Sequence, residues 1–196
     1  MKIRNFILSF ILLSVNMVSE CYAGTGTIIL PVHAAKITGS FVTDQDASQG
    51  AQIDGGDGNW RLLFDSGSVA DEGAVWQFTL PSNYSSAPIL KIDFSMASGE
   101  ANEVEFEGAV MCYTPGTDTA DVGTASFSAI AVPASPTTVS ATAGEVYQQS
   151  ITLTDDSCAA GDDIWVYLST DADDATNDDA TGDREVINVT LTYTSS

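Results

Sequence analysis

The sequence predicts an all-β chain: a two-sheet antiparallel β-sandwich, jelly-roll-like or immunoglobulin-like, with about nine strands and one disulfide. Two observations carry this prediction. Apolar residues recur with a period of two rather than the helical 3.6, and the alternating runs are separated by clusters of Gly, Asn, Asp, Ser and Pro that favour turns. Hydrophobic residues make up 44% of the 196, ample for a core, so the acidic composition does not signal disorder.

The runs can be taken in chain order. Thr27–Val32 is a strongly apolar strand candidate, followed by Asn59–Phe64. Trp76, Phe78 and Leu80 point inward against Val75, Gln77 and Thr79, and Leu90, Ile92, Phe94 and Met96 against Lys91, Asp93 and Ser95. Val104, Phe106, Gly108, Val110 and Cys112 form an inward face opposed to Glu103, Glu105 and Glu107. Ser126–Val132, Val146–Leu153 and Asp163–Ser169 follow, and the last strand turns Ile187, Val189, Leu191 and Tyr193 inward. Trp60 and Trp76 both keep core parity. The stretch Ala131–Ala143, with Pro133 and Pro136, reads as an exposed crossover between halves of the sandwich.

The chain divides into residues 1–23, 24–43 and 44–196. Lys2 and Arg4, the apolar run Phe6 to Val15 and the end Cys21-Tyr22-Ala23 have the order of a secretory signal peptide cleaved after Ala23. No apolar run approaches the roughly 20 residues of a membrane span, so the mature chain is expected outside the cytoplasm, secreted or at the cell surface, without membrane insertion. Residues 24–43 form an N-terminal strand or arm, and 44–196 a single sandwich domain. In the arm, Ile28, Ile29, Leu30 and Val32 suit either the first strand of the molecule's own sandwich or an assembly strand added to a neighbouring subunit.

Cleavage would remove Cys21 and leave Cys112 and Cys158, an even pair that reads as a disulfide in an exported protein. It would also leave Lys36, Arg61, Lys91 and Arg184 as the only lysines and arginines; the full sequence has a net charge of −21, and losing Lys2, Arg4 and Glu20 makes the remainder one unit more negative. Such a field repels nucleic acid and anionic membranes. Cations, neutral glycans and copies of the chain itself remain as partners.

No catalytic residue is assigned and a non-enzymatic protein is expected. His33 is a lone imidazole on the arm, with no nucleophile motif around it. Asp65-Ser66-Gly67 looks like an aspartic-protease segment, but that chemistry needs two carboxylates sharing a proton and the motif does not recur. The aspartates fall in three groups: Asp44, Asp46, Asp54 and Asp57; Asp155, Asp156, Asp162 and Asp163; and the densest, Asp171, Asp173, Asp174, Asp178, Asp179 and Asp183. Oxygen-rich loops of this kind suit Ca²⁺, although the last group does not match the EF-hand pattern, and solvated acidic loops are the alternative. Trp165 and Tyr167 have the opposite parity to Ile164, Val166 and Leu168. They are read as core or subunit interface, or, if exposed, as a platform for stacking sugars.

Two segments carry a resemblance. Glu72–Met96, with Trp76, Phe78, Leu80 and Pro81 in a W-x-F-x-L-P strand, and Asp178–Thr194, with a Gly182-Asp183 turn before the last strand, resemble β-sandwich domains of virion-associated fibre proteins and of secreted microbial surface proteins. The closing Asn188–Thr194 is similar to the alternating tail of secreted pilin-type subunits. This resemblance implies a structural or adhesive role and transfers no catalytic residue. The expectation is a self-assembling extracellular filament or surface subunit. The alternative is a carbohydrate-binding or adhesion module with calcium-binding acidic loops.

Overall fold

The computed structural model describes residues 23–37, 49–55, 58–65, 72–118, 126–170 and 176–196. The expected leader, 1–23, lies outside them except for Ala23. The chain is a two-sheet β-sandwich, antiparallel apart from one short pairing, and among the described residues its helical element is a single 3-10 turn, Val32–Ala34.

The first sheet runs β11 (Val146–Thr152), β7 (Tyr84–Met96), β13 (Arg184–Ser195), β5 (Arg61–Phe64), β4 (Gln52–Asp54), with β1 (Gly24–Leu30) beside the far half of β13. Thus β5 occupies one half of a β13 edge, from Arg184 to Val186, and β1 the other, from Val189 to Ser195. The second sheet runs β2 (Lys36–Ile37), β6 (Glu72–Thr79), β12 (Asp163–Thr170), β9 (Phe106–Tyr113), with β3 (Gln49–Gly50) parallel to the start of β6. A small ladder pairs β8 (Glu103–Val104) with β10 (Thr137–Thr138). Ser126–Val132, expected as a strand, contributes one bridge, Gly108 to Ala131, and covers the outer edge of β9.

Alternation decides the inner faces. On β7, Leu90, Ile92, Phe94 and Met96 are all fully buried, each burial stabilising by about 1.5–3 kcal/mol. Phe106 packs edge-on against both Phe64 and Phe94, joining the sheets across the core. On β13 the pattern departs from the expected parity. The register shifts between Val186 and Asn188, so Val186 and Val189 are both buried and Ile187, expected inside, is turned out and 40% exposed.

The expected N-terminal arm is part of this fold. Ile28, Ile29 and Leu30 lie in β1, in unbroken register with Leu191, Thr190 and Val189 of the same chain, and Leu30 and Val32 belong to the main core. A free donor arm is therefore not what residues 24–37 form. The ring of Tyr193 lies over Gly26, where a Cβ would collide with it, which fits this strand closely to β13. Residues 38–43 of the arm lie outside the described residues.

Cys112 and Cys158 form the expected disulfide, Cα–Cα 5.3 Å across a separation of 46 residues. It ties the end of β9 to the loop before β12. That loop is built by its aspartates: Asp155 accepts from the Cys158 amide (3.0 Å), Asp156 from Cys112 (3.2 Å), Asp162 from Ala159 (2.8 Å), and Asp163 from the Thr79 hydroxyl (2.9 Å).

Candidate functional site

A second apolar cluster lies on the outer face of the five-stranded sheet. Val75, Ala109, Met111, Tyr113, Phe127, Trp165 and Tyr167 pack together there, with Tyr113 edge-on to Trp165 (5.1 Å) and Phe127 tilted on Tyr167 (5.7 Å). Trp165 and Tyr167 are consequently buried, at 9% and 2% exposure, and offer no face for a sugar. Both parities of β12 are apolar because both faces of its sheet are covered.

The exposed tryptophan is Trp60, expected in the core and found 54% exposed. Pairing of β4 with β5 ends at Asp54 and Arg61, so residue 60 has left the ladder and its ring falls outside. The ring rests over Gly55, where a Cβ would stand 2.7 Å from Trp60 Cε3, and His33, exposed as expected, lies 5.9 Å away at a tilt. Gly58, at φ +86°, makes the turn that carries the chain back.

Trp60 borders a groove of about 450 Å³ on the outer face of the six-stranded sheet, floored by Arg61, Ser95, Glu185 and Ile187 and rimmed by Asn59 and Gly144. Arg61 reaches Asp54 on one side (2.8 Å) and Glu185 on the other (3.3 Å). Glu185 in turn accepts from the Ser95 hydroxyl (3.1 Å). The strand register puts Glu185 opposite both Leu63 and Ser95, so this chain of polar groups crosses β5, β13 and β7 at one level. The bulge at Ile187 is what brings an apolar side chain to the same floor. One level along, Asp93 accepts from Gln148 (2.7 Å) and Asn188 (3.0 Å), continuing the polar surface onto β11. At the rim, hydrogen bonds from Ser140 and Tyr147 hold the Glu145 carboxyl below its usual range.

Another groove, of about 420 Å³, opens between the sheets at the β1 side. It is lined by Ile28, Leu30, Trp76, Phe78, Pro81 and Tyr193 among others, and Trp76 keeps its core place by donating to the Pro31 carbonyl (2.9 Å).

The aspartate groups do not converge. Among the described residues, no three His, Cys, Asp or Glu side chains gather as metal ligands. Asp171, Asp173 and Asp174 lie outside the described residues, as do Asp44, Asp46 and Asp57. Asp178, expected in an open acidic loop, is buried in an ion pair with buried Arg184. Burial lifts its carboxyl to about 6 against the pull of Arg184. Asp179 accepts from the Glu103 amide (2.7 Å), and Asp183 is exposed. Asp65 follows the last residue of β5, and its amide donates to buried Glu72 (2.7 Å); Ser66 and Gly67 lie outside the described residues.

The sequence reading missed Arg61, Ser95, Asp93, Gln148, Glu185 and Asn188. A signal was present: Arg61 and Lys91, two of the few cations, sit at outward parity on their strands, as does Asp93.

No family model matches the chain, and no curated protein matches it. Among solved structures, a carbohydrate-binding module studied for specific mannan recognition is similar over 88% of this chain and 87% of that chain, at 14% identity and a TM-score of 0.33. What the Trp60 groove can do follows from its own residues.

Proposed function

We propose that the chain is an exported, non-catalytic glycan-binding protein that holds a neutral sugar against Trp60. The observation that carries this reading is the exposed, glycine-backed Trp60 ring beside a shallow groove of fixed polar groups. A pyranose has an apolar C–H face that suits a flat aromatic and a rim of hydroxyls that needs paired donors and acceptors. Trp60 supplies the first, and the chain Asp54, Arg61, Glu185, Ser95 supplies the second in a pre-ordered row. The guanidinium is already held by two carboxylates in a strongly anionic molecule, which favours neutral sugars over sulfated or uronic ones. The same two carboxylates are engaged in holding Arg61, which supports binding rather than hydrolysis. The basic, apolar and small-residue order of 1–23 and the Cys112–Cys158 bridge support export.

The test is retention of the mature chain on insoluble cellulose, mannan, xylan and chitin, followed by titration with soluble oligosaccharides of whichever retains it. Trp60→Ala should weaken binding at least about tenfold, the scale of a lost anchor residue, with an unchanged unfolding temperature. Failure of the wild-type chain to bind any of the four, or undiminished binding by Trp60→Ala, would remove the reading.

A further inference from the structure

Among the described residues the first sheet ends in β11, β4 and β1, and two of these edges, β1 and β11, match each other. Among the described residues β1 pairs only with β13, and β11 only with β7. Each strand is seven residues long, and neither holds a charged side chain, a proline or a register shift. In a chain of net charge −21 that is unusual ground, because mutual repulsion opposes contact between copies almost everywhere else. Three other edges are guarded: β4 ends in Asp54, β2 begins with Lys36, and β9 is covered by the bridge to Ala131. The two most exposed large apolar side chains of the described residues are Ile29 on β1, at 67%, and Val146 on β11, at 61%.

Orientation matches as well. β13 is antiparallel to both β1 and β7, and β11 is antiparallel to β7, so β11 runs antiparallel to β1. Setting a second copy beside the first by translation therefore brings β1 of one against β11 of the next in the sense that already runs through the sheet. Faces agree in the register that puts Ile29 opposite Val146. Thr27 then meets Gln148 and Thr25 meets Ser150 on the outer face, while Ile28 meets Tyr147 and Gly26 meets Gln149 on the inner face.

We propose that copies of this chain join head to tail by pairing β1 of one with β11 of the next, extending the six-stranded sheet from molecule to molecule. The contact is between two different surfaces, so it does not close on itself as a two-fold dimer does. It leaves β1 in its own sheet, unlike a donated arm, and it does not depend on glycan binding by the Trp60 groove.

The test is disulfide trapping in the mature chain at 0.5 M NaCl, where repulsion is screened. In one copy Ile29 and Val146 lie on opposite edges, three strand spacings or roughly 14 Å apart across the sheet, and Val146 lies four residues along β11 from Ser150, the residue level with Ile29, so the two are too far apart to bridge. An Ile29→Cys/Val146→Cys double variant should give a ladder of covalent dimers, trimers and higher species on a non-reducing gel, with each single variant remaining monomeric. Ile29→Lys, at an exposed position, should abolish assembly in light scattering while unfolding at the wild-type temperature. A double variant that stays monomeric overturns the proposal. So does covalent dimer from Ile29→Cys alone, which would mean β1 pairs with its own equivalent.

Discussion

Gly55 lies directly beneath Trp60, with room for a hydrogen and not for a methyl group: a Cβ at Gly55 would stand 2.7 Å from both Cε3 and Cζ3 of the indole. The constraint is steric, since Gly55 is not among the residues in the left-handed region. Gly55→Val should therefore displace the ring without unfolding the sheet. The expected result is a shift in the tryptophan emission maximum, a fall in glycan affinity of about tenfold and little change in the unfolding midpoint. Equal loss of stability and binding would mean that Gly55 serves the β4–β5 turn instead.

Much of the sandwich was legible because alternation and burial report the same thing where a strand is regular. The inward set on β7 is the clearest case. Two residues, Ile187 and Trp60, show where that logic stops. Ile187 sits at a bulge, and one extra residue reverses every later parity, so the alternation of Asn188–Thr194 fixed its own faces but not the residue before it. Trp60 has core parity with Leu62 and Phe64, yet the strand begins at Arg61. Trp165 and Tyr167, read from sequence as core or subunit interface with an exposed sugar platform as the alternative, are buried, and packing with Phe127, Tyr113 and Met111 covers their face. The polar row escaped notice for a different reason: Arg61, Ser95 and Glu185 are far apart in sequence and become neighbours only through register.

The Asp178–Arg184 pair pins the acidic segment before β13 to the core, with Arg184 also donating to the Ala180 carbonyl (3.1 Å). Both side chains are essentially inaccessible, at 0% and 1% exposure. Removing one partner leaves the other charge buried and unpaired, so Asp178→Ala should cost about 3–5 kcal/mol in chemical denaturation. Asp178→Leu with Arg184→Met removes both charges and should recover most of that loss. A single variant within about 1 kcal/mol of wild type would show that water reaches Arg184 once Asp178 is gone.

The Cys112–Cys158 bridge constrains the unfolded chain more than it shapes the folded one, because Asp155, Asp156 and Asp162 already hold the loop through backbone amides. Replacing both cysteines with alanine should lower stability by up to about 4 kcal/mol while the native sheets persist. Amide exchange should quicken first between residues 155 and 162, and β7 exchange should remain the slowest.

Stability should fall as pH rises from mildly acidic to mildly alkaline. Burial raises the carboxyls of Asp178, to about 6, and also those of Glu72 and Asp156. An acid with a raised native pKa keeps its proton in the folded state at pH values where the unfolded chain has released it. Its contribution is complete below the ordinary value, 3.8 for Asp178, and is lost as pH climbs through about 6. Repulsion among the 27 acidic side chains acts in the same direction, while the depressed carboxyl of exposed Glu145 acts against it. The unfolding temperature should thus be higher at pH 5 than at pH 8. Added NaCl should raise it at both pH values, because carboxylates of ordinary pKa are charged at pH 5 as well as at pH 8; salt screens that surface repulsion and leaves the buried carboxyls untouched. An unfolding temperature that rises from pH 5 to pH 8 would mean that Arg184, not desolvation, dominates the ionisation of Asp178.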